Sequence, residues 1–205
     1  MKYAPRENAI KKDLMKNPYQ NKSYKIALVA LFAALSAVGA FIRVPIPVLP
    51  FTLQLFFTTM AGLLLGGELG ALSVVTYVMI GLLGVPVFTG GGGITYVFQP
   101  SFGYLLGFVA GAFVTGKLTE TERPSFLRVL LACYAGLLAV YLIGVPYLYL
   151  VLRFNMQKTL AIDALILNYF LAFMPTDAIK MVLAAVVGHR LIPVLRKTRR
   201  KRSEK

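Results

Sequence analysis

The sequence predicts an all-α integral membrane protein of six transmembrane helices, with the N and C termini cytoplasmic and an interfacial segment before the last helix. Hydrophobic residues make up 58% of the 205-residue chain and charged ones only 15%, with a mean hydropathy of +0.71, too apolar for a soluble domain of that length. The apolar residues are gathered into runs near the roughly 20 residues that a helix needs to cross a bilayer. The charges, net +14, collect at the two ends and in the connections.

Lys2, Arg6, Lys11, Lys12, Lys16, Lys22 and Lys25 precede the first apolar run, and Arg190, Arg196, Lys197, Arg199, Arg200, Lys201, Arg202 and Lys205 close the chain. That is the flanking charge of the positive-inside rule and not a nucleic-acid surface. Residues 1–25 are therefore expected to form a basic cytoplasmic segment, 26–195 the membrane domain and 196–205 a basic cytoplasmic tail, which also suits anionic lipid. The first 25 residues have no apolar core and no small-residue cleavage site, so the first span is expected to serve as its own insertion signal.

Apolar runs fall at 26–42, 51–67, 69–88, 94–116, 126–149 and 175–195. In the first, Ala30/Ala34 and Ala33/Ala37 are small residues four apart, a face that lets another helix approach at backbone distance. Gly62, Gly66 and Gly70 repeat the pattern at the second, and Gly103, Gly107, Gly111 and Thr115 in the fourth. A seventh run, 159–174, carries Asp163 and Asn168 and ends against Pro175. Charge decides its place: both termini are basic, an even number of crossings puts both inside, and 159–174 becomes an outer interfacial segment. The Lys117, Arg123 and Arg128 connection then also falls inside. Gly84-Val85-Pro86 and Gly144-Val145-Pro146 both end outward-running helices on this count, which is not the arrangement of an inverted repeat.

Three connectors share the outer face. Arg43 to Pro50 holds three prolines and reads as a stiff flap. Thr89 followed by Gly90 to Gly93 has the opposite character, a hinge or lid whose backbone can approach a ligand closely. The third is the long 150–174 connection. Near them, at the outer start of the last helix, stand Asp177 and Lys180, three residues apart and so on one helix face. An acid and a base inside a membrane are expensive unless they meet a partner or a ligand, and they mark the working site.

Enzymatic signatures are missing from the chain. It has no GxxxxGK[ST] phosphate loop, no HExxH, no GxSxG and no His/Cys cluster with ligand spacing, so neither metal nor cofactor is expected. Cys133 alone makes no disulfide, and His189 beside Arg190 reads as a helix-end residue. A membrane enzyme using Asp177 as general base on a lipid-linked substrate needs a second acid at the same depth, whereas Glu68 lies toward the opposite face. A scaffold built on the small-residue faces leaves the Asp177–Lys180 pair without a role.

Pro50-Phe-Thr-Leu-Gln54, Gly70-Ala-Leu-Ser73, Gly81-Leu-Leu-Gly-Val-Pro-Val-Phe88, the glycine loop, Gly103-Tyr-Leu-Leu-Gly-Phe108 and Pro175-Thr-Asp-Ala-Ile-Lys180 appear in an order that resembles the BioY family. That family comprises the biotin-binding S components of energy-coupling factor (ECF) transporters. The resemblance covers about residues 26–195 and implies a six-helix vitamin-binding protein of the prokaryotic plasma membrane, working with a transmembrane T component and two ATPase subunits. It carries Asp177, Lys180 and Gln54 over as ligand residues, and Ala30, Ala34, Ala33 and Ala37 as the face for the T component. Biotin suits such a site: its ureido ring offers two N–H donors and a carbonyl, and its ring and alkyl chain need apolar walls. On this reading Asp177 accepts from the ureido nitrogens, while Lys180 pairs Asp177 or donates to a ligand oxygen. The chain departs from the family at Gln99-Pro-Ser-Phe-Gly-Tyr104, where Gly-Pro-Thr-Gly-Gly-Tyr is frequent, and has no arginine in its glycine loop. The biotin carboxylate is then left to backbone N–H groups of Gly91 and Gly92, to Ser101 or Tyr104, or to Arg43.

Overall fold

Runs of Leu, Val, Ala and Phe with few breakers form helices here because a helix pairs its backbone polar groups within itself, as an apolar surrounding requires. The computed structural model describes residues 22–44, 50–121, 123–157 and 167–200, except the side chains of 168, 169 and 195–200. Most of the N-terminal basic cluster, the middle of the proline flap, Asp163 and the chain beyond 200 lie outside the described residues. Among the described residues six α-helices follow one another: α1 Lys22–Phe41, α2 Gln54–Leu65, α3 Gly67–Leu82, α4 Phe102–Leu118, α5 Phe126–Leu150 and α6 Met174–Arg200. A minimal antiparallel hairpin, β1 Arg43–Val44 against β2 Phe51–Thr52, joins α1 to α2 with Arg43 opposite Thr52. A tight helical turn, Ile94–Phe98, precedes α4. Wide turns extend α5 through Val151–Asn155 and lead into α6 at Leu167–Leu171.

By length and apolar composition, α1 and the run Phe126–Asn155 suffice to cross a bilayer, while α2, α3 and α4 are apolar but shorter. The shortening has local causes. The fourth apolar run was expected to turn helical at 94, but α4 starts only at Phe102. Gly93 sits at φ +103, Gln99 is extended, and Pro100 follows, so the chain makes an isolated turn before the helix begins. Likewise α3 stops at Leu82 instead of 88, because Gly84 takes φ +105 and Pro86 follows. The fifth run, expected over 126–149, holds: α5 carries through Pro146 to Leu150. A proline removes one N–H bond, but stopping there would leave more backbone unpaired in apolar surroundings.

Helix α2 is central, touching α1, α3, α4 and α6, while α4 lies along α5. Glycines set these distances. A Cβ on Gly107 would come within 2.7 Å of the Val140 carbonyl oxygen, Gly111 faces Val140 and Gly136, and Thr115 donates its hydroxyl to the Ala132 carbonyl at 3.2 Å. Gly62 of α2 faces Ala112 of α4, and Gly70 of α3 faces Gly62. Two of the three small-residue faces are thus absorbed by packing inside the bundle. On α1, by contrast, Ala33 is buried in the core and Ala37 half-buried, while Ala30 and Ala34 point outward. Gly107→Val should destabilise the fold by about 1–3 kcal/mol, because the obstructing atoms are backbone and cannot swing aside. Thermal unfolding in detergent reads the loss, and an unchanged Tm would show that α4 and α5 are not in backbone contact.

Candidate functional site

The first turns of α2, α4 and α6 and the middle of α5 converge on one cavity of about 580 Å3, its open mouth included. Leu55, Leu105, Phe108 and Val140 form apolar walls, and Pro50, Phe51 and Thr52 of the hairpin cover it together with Phe173. The Phe51 and Phe173 rings meet at 4.1 Å between centroids, joining the hairpin to the segment that leads into α6. Thr89, Tyr96 and Ser101 complete the lining from the α3–α4 connection.

Asp177 and Lys180 both line this cavity. Their i, i+3 spacing places Lys180 Nζ 2.7 Å from Asp177 Oδ1, with only 15% and 11% of the two side chains exposed. The second carboxylate oxygen is occupied as well, because the Tyr141 hydroxyl donates to Oδ2 at 2.6 Å. Tyr141 packs edge-on against Tyr104 and Phe170, and Phe173 accepts the Asp177 backbone N–H through its carbonyl at 3.0 Å. A carboxylate buried this far is tolerable only with such partners, since an unpaired buried charge is penalised by several kcal/mol.

Gln54 opens the central helix and is 3% exposed. Its Nε2 makes no well-aligned hydrogen bond among the described residues. Tyr77 lies beside it but turns its own hydroxyl to the Val87 carbonyl at 3.1 Å. A buried amide N–H pair left without an acceptor is unfavourable by about 1–3 kcal/mol, and Gln54 lines the cavity, where a ligand oxygen would relieve that cost.

Of the sequence-predicted ligand residues, Asp177, Lys180, Gln54, Tyr104 and Ser101 come together in the lining, from three helices and the connection before α4. Gly91, Gly92 and Arg43 are placed elsewhere. The glycine loop, expected as a hinge or lid, is tied down: Gly91 and Phe88 exchange both backbone bonds, at 2.9 and 3.2 Å, and the Gly93 N–H bonds the Gly81 carbonyl at 2.7 Å. Its glycines serve the turn, with Gly91 at φ +113 and Gly93 at φ +103. Arg43 is exposed on the hairpin, across from the lining residue Thr52. Sequence reasoning missed Thr89, Tyr96, Phe51, Phe173 and Tyr141. The paired Pro50-Phe51-Thr52 beside Gln54 was a usable signal for the hairpin residues, whereas Tyr141 stands 36 positions from the Asp177 it contacts.

Comparisons with known proteins agree with the geometry. A family model described as the BioY family matches residues 11–197. A probable biotin transporter BioY of Lysinibacillus sphaericus is 42% identical over 181 residues, covering 88% of this chain and 92% of that one. The biotin transporter BioY of Thermotoga maritima is 40% identical over 162 residues, covering 78% and 91%. Among solved structures, the S-component for biotin from an ECF-type ABC transporter superposes with a TM-score of 0.71 at 31% identity, over 83% of this chain and 91% of that one.

Tyr141→Phe keeps the ring and removes the donor to Asp177. Stability should fall by about 1.5–3 kcal/mol, the worth of a hydrogen bond to a charged group. Chemical unfolding of the ligand-free protein in detergent measures this, and unaltered stability would mean that the carboxylate does not depend on Tyr141.

Proposed function

The chain belongs to the BioY family, and from that membership we propose that it is a biotin-binding S component of an ECF transporter. In this reading it is a multi-pass protein of the cell membrane with six spans and cytoplasmic termini. It captures biotin from outside and delivers it with a transmembrane T component and two ATPase subunits. Transport, not catalysis, is the activity of the relatives, and no catalytic role is assigned to Asp177.

The observation that carries the reading is the cavity lined by the buried Asp177–Lys180 ion pair and by the Gln54 amide, whose Nε2 makes no well-aligned hydrogen bond among the described residues. Asp177 accepts the ureido N–H groups, and Gln54 Nε2 and Lys180 Nζ donate to the ureido oxygen. Phe51, Leu55, Leu105, Phe108 and Phe173 enclose the thiophane ring and alkyl chain, a division of polar and apolar lining that small-molecule sites share. Tyr141 keeps the carboxylate aimed while ligand comes and goes.

A lipid surrounding is supported by what the bundle leaves outside. Leu31, Leu83, Leu127, Leu142 and Ile179 are among its large exposed apolar side chains, more than an aqueous surface ordinarily carries. The outward Ala30 and Ala34 of α1 suit the T component, because small side chains let two helices pack closely where no hydrophobic effect drives them together.

Two measurements test the proposal. Asp177→Asn should weaken biotin binding by about 1.5–3 kcal/mol, since a neutral amide replaces the charged acceptor. Binding of labelled biotin to the purified variant reads this, and unchanged affinity would place the carboxylate outside the site. Ala34→Trp should leave binding intact yet abolish uptake by the assembled complex, because an indole forbids close helix contact. Undiminished uptake would turn that face away from the T component.

A further inference from the structure

Recognition by Asp177, Lys180 and Gln54 leaves a second polar cluster of the same cavity without a role. Thr89 Oγ1 and the Tyr96 hydroxyl are 3.0 Å apart, and the Tyr96 hydroxyl is also 3.0 Å from Ser101 Oγ. All three residues line the cavity. Tyr96 is firmly held: it is buried, its ring packs on Phe88 at 4.5 Å between centroids, and its backbone N–H bonds the Gly93 carbonyl.

Three hydroxyls bring three hydrogens, and the two bonds between them use two. Whichever way the chain points, one O–H is left to donate, and donation through a line of hydroxyls is strengthened by polarisation. Among the described residues no cation bonds to the cluster. The charged residues among the described lining are Asp177 and Lys180, and these hold each other. Between the two polar clusters stand Tyr104, one turn along α4 from Ser101, and Tyr141, which meets Tyr104 edge-on and donates to Asp177.

We infer that Thr89, Tyr96 and Ser101 seat the side-chain carboxyl group of the ligand, and that this uncharged seat admits neutral amide and ester derivatives of biotin nearly as well as the free acid. The inference rests on the biotin reading above. A carboxylate oxygen and an amide carbonyl oxygen each accept one O–H bond. The carboxylate gains a stronger bond, but it also loses more hydration on entry, and the two differences offset. A fixed cation would discriminate sharply, because a neutral ligand would leave that cation buried without its counter-charge. Hydroxyls carry no such penalty, so the substrate class extends to small carboxyl-modified forms of the vitamin.

Calorimetric titration of the purified full chain in detergent with biotin and with biotinamide tests this. The two dissociation constants should lie within about tenfold of each other, and Tyr96→Phe should weaken both by about fivefold, the scale of one neutral hydrogen bond. Ser101→Ala, which leaves the Tyr96 ring packing untouched, should do the same and separates lost donation from lost packing. A preference for biotin above about a hundredfold, as a cationic seat would give, overturns the inference. So does wild-type affinity for both ligands in the two variants. Biotin bound but the amide refused removes this inference alone, while a wild-type chain that binds neither removes the proposed function with it.

Discussion

A carboxylate and an ammonium 2.7 Å apart inside an apolar bundle persist only while they hold each other and the carboxylate's second oxygen finds a donor, which the neighbouring helix supplies. The i, i+3 spacing on α6 makes the pair, Tyr141 on α5 closes the remaining oxygen, and the central helix α2 brings Gln54 beside them. The same helix contacts that bury the pair also create the cavity next to it. Stability and the proposed recognition therefore depend on one arrangement: a ligand that offers N–H groups would replace the hydration Asp177 has lost.

Glycine makes this geometry possible at a distance. Gly107 and Gly111 let α4 approach α5 at backbone contact, which carries Tyr104 against Tyr141 and so steadies the donor to Asp177. At the mouth, two short connectors close the cavity by different means. The hairpin reaches Phe173 through Phe51, while the glycine loop is fixed to the end of α3 through its own backbone and presents Thr89 and Tyr96. Rigid backbone at the mouth favours a preformed site over one assembled around its ligand.

Much of this was legible in the sequence because apolar runs, prolines and isolated charges act locally. The order of the helices follows from the runs, and Asp177 and Lys180 stand out because charge inside such a run has few innocent explanations. Helix ends were less legible. Ile94–Phe98 is as apolar as a span, and only the flanking Gly93 and Pro100 reveal that it is a separate turn. Pro146 did not mislead, because the apolar run 126–149 continues across it and α5 follows that run. Tyr141 and Phe173 were not legible at all: nothing local marks them, and only the docking of α5 against α6 makes them part of the site. Three small-residue faces looked alike in sequence, yet only packing tells that those of α2 and α4 are internal while Ala30 and Ala34 of α1 face outward.

The most direct test of the central claim is a crystal structure of the chain grown with biotin. The ureido ring should lie in the cavity with its nitrogens at hydrogen-bond distance from Asp177 and its oxygen toward Gln54 Nε2, the ion pair to Lys180 and the Tyr141 contact still in place. Biotin seated away from α6, or an Asp177 that remains closed by its protein partners with no ligand atom near it, would contradict the account.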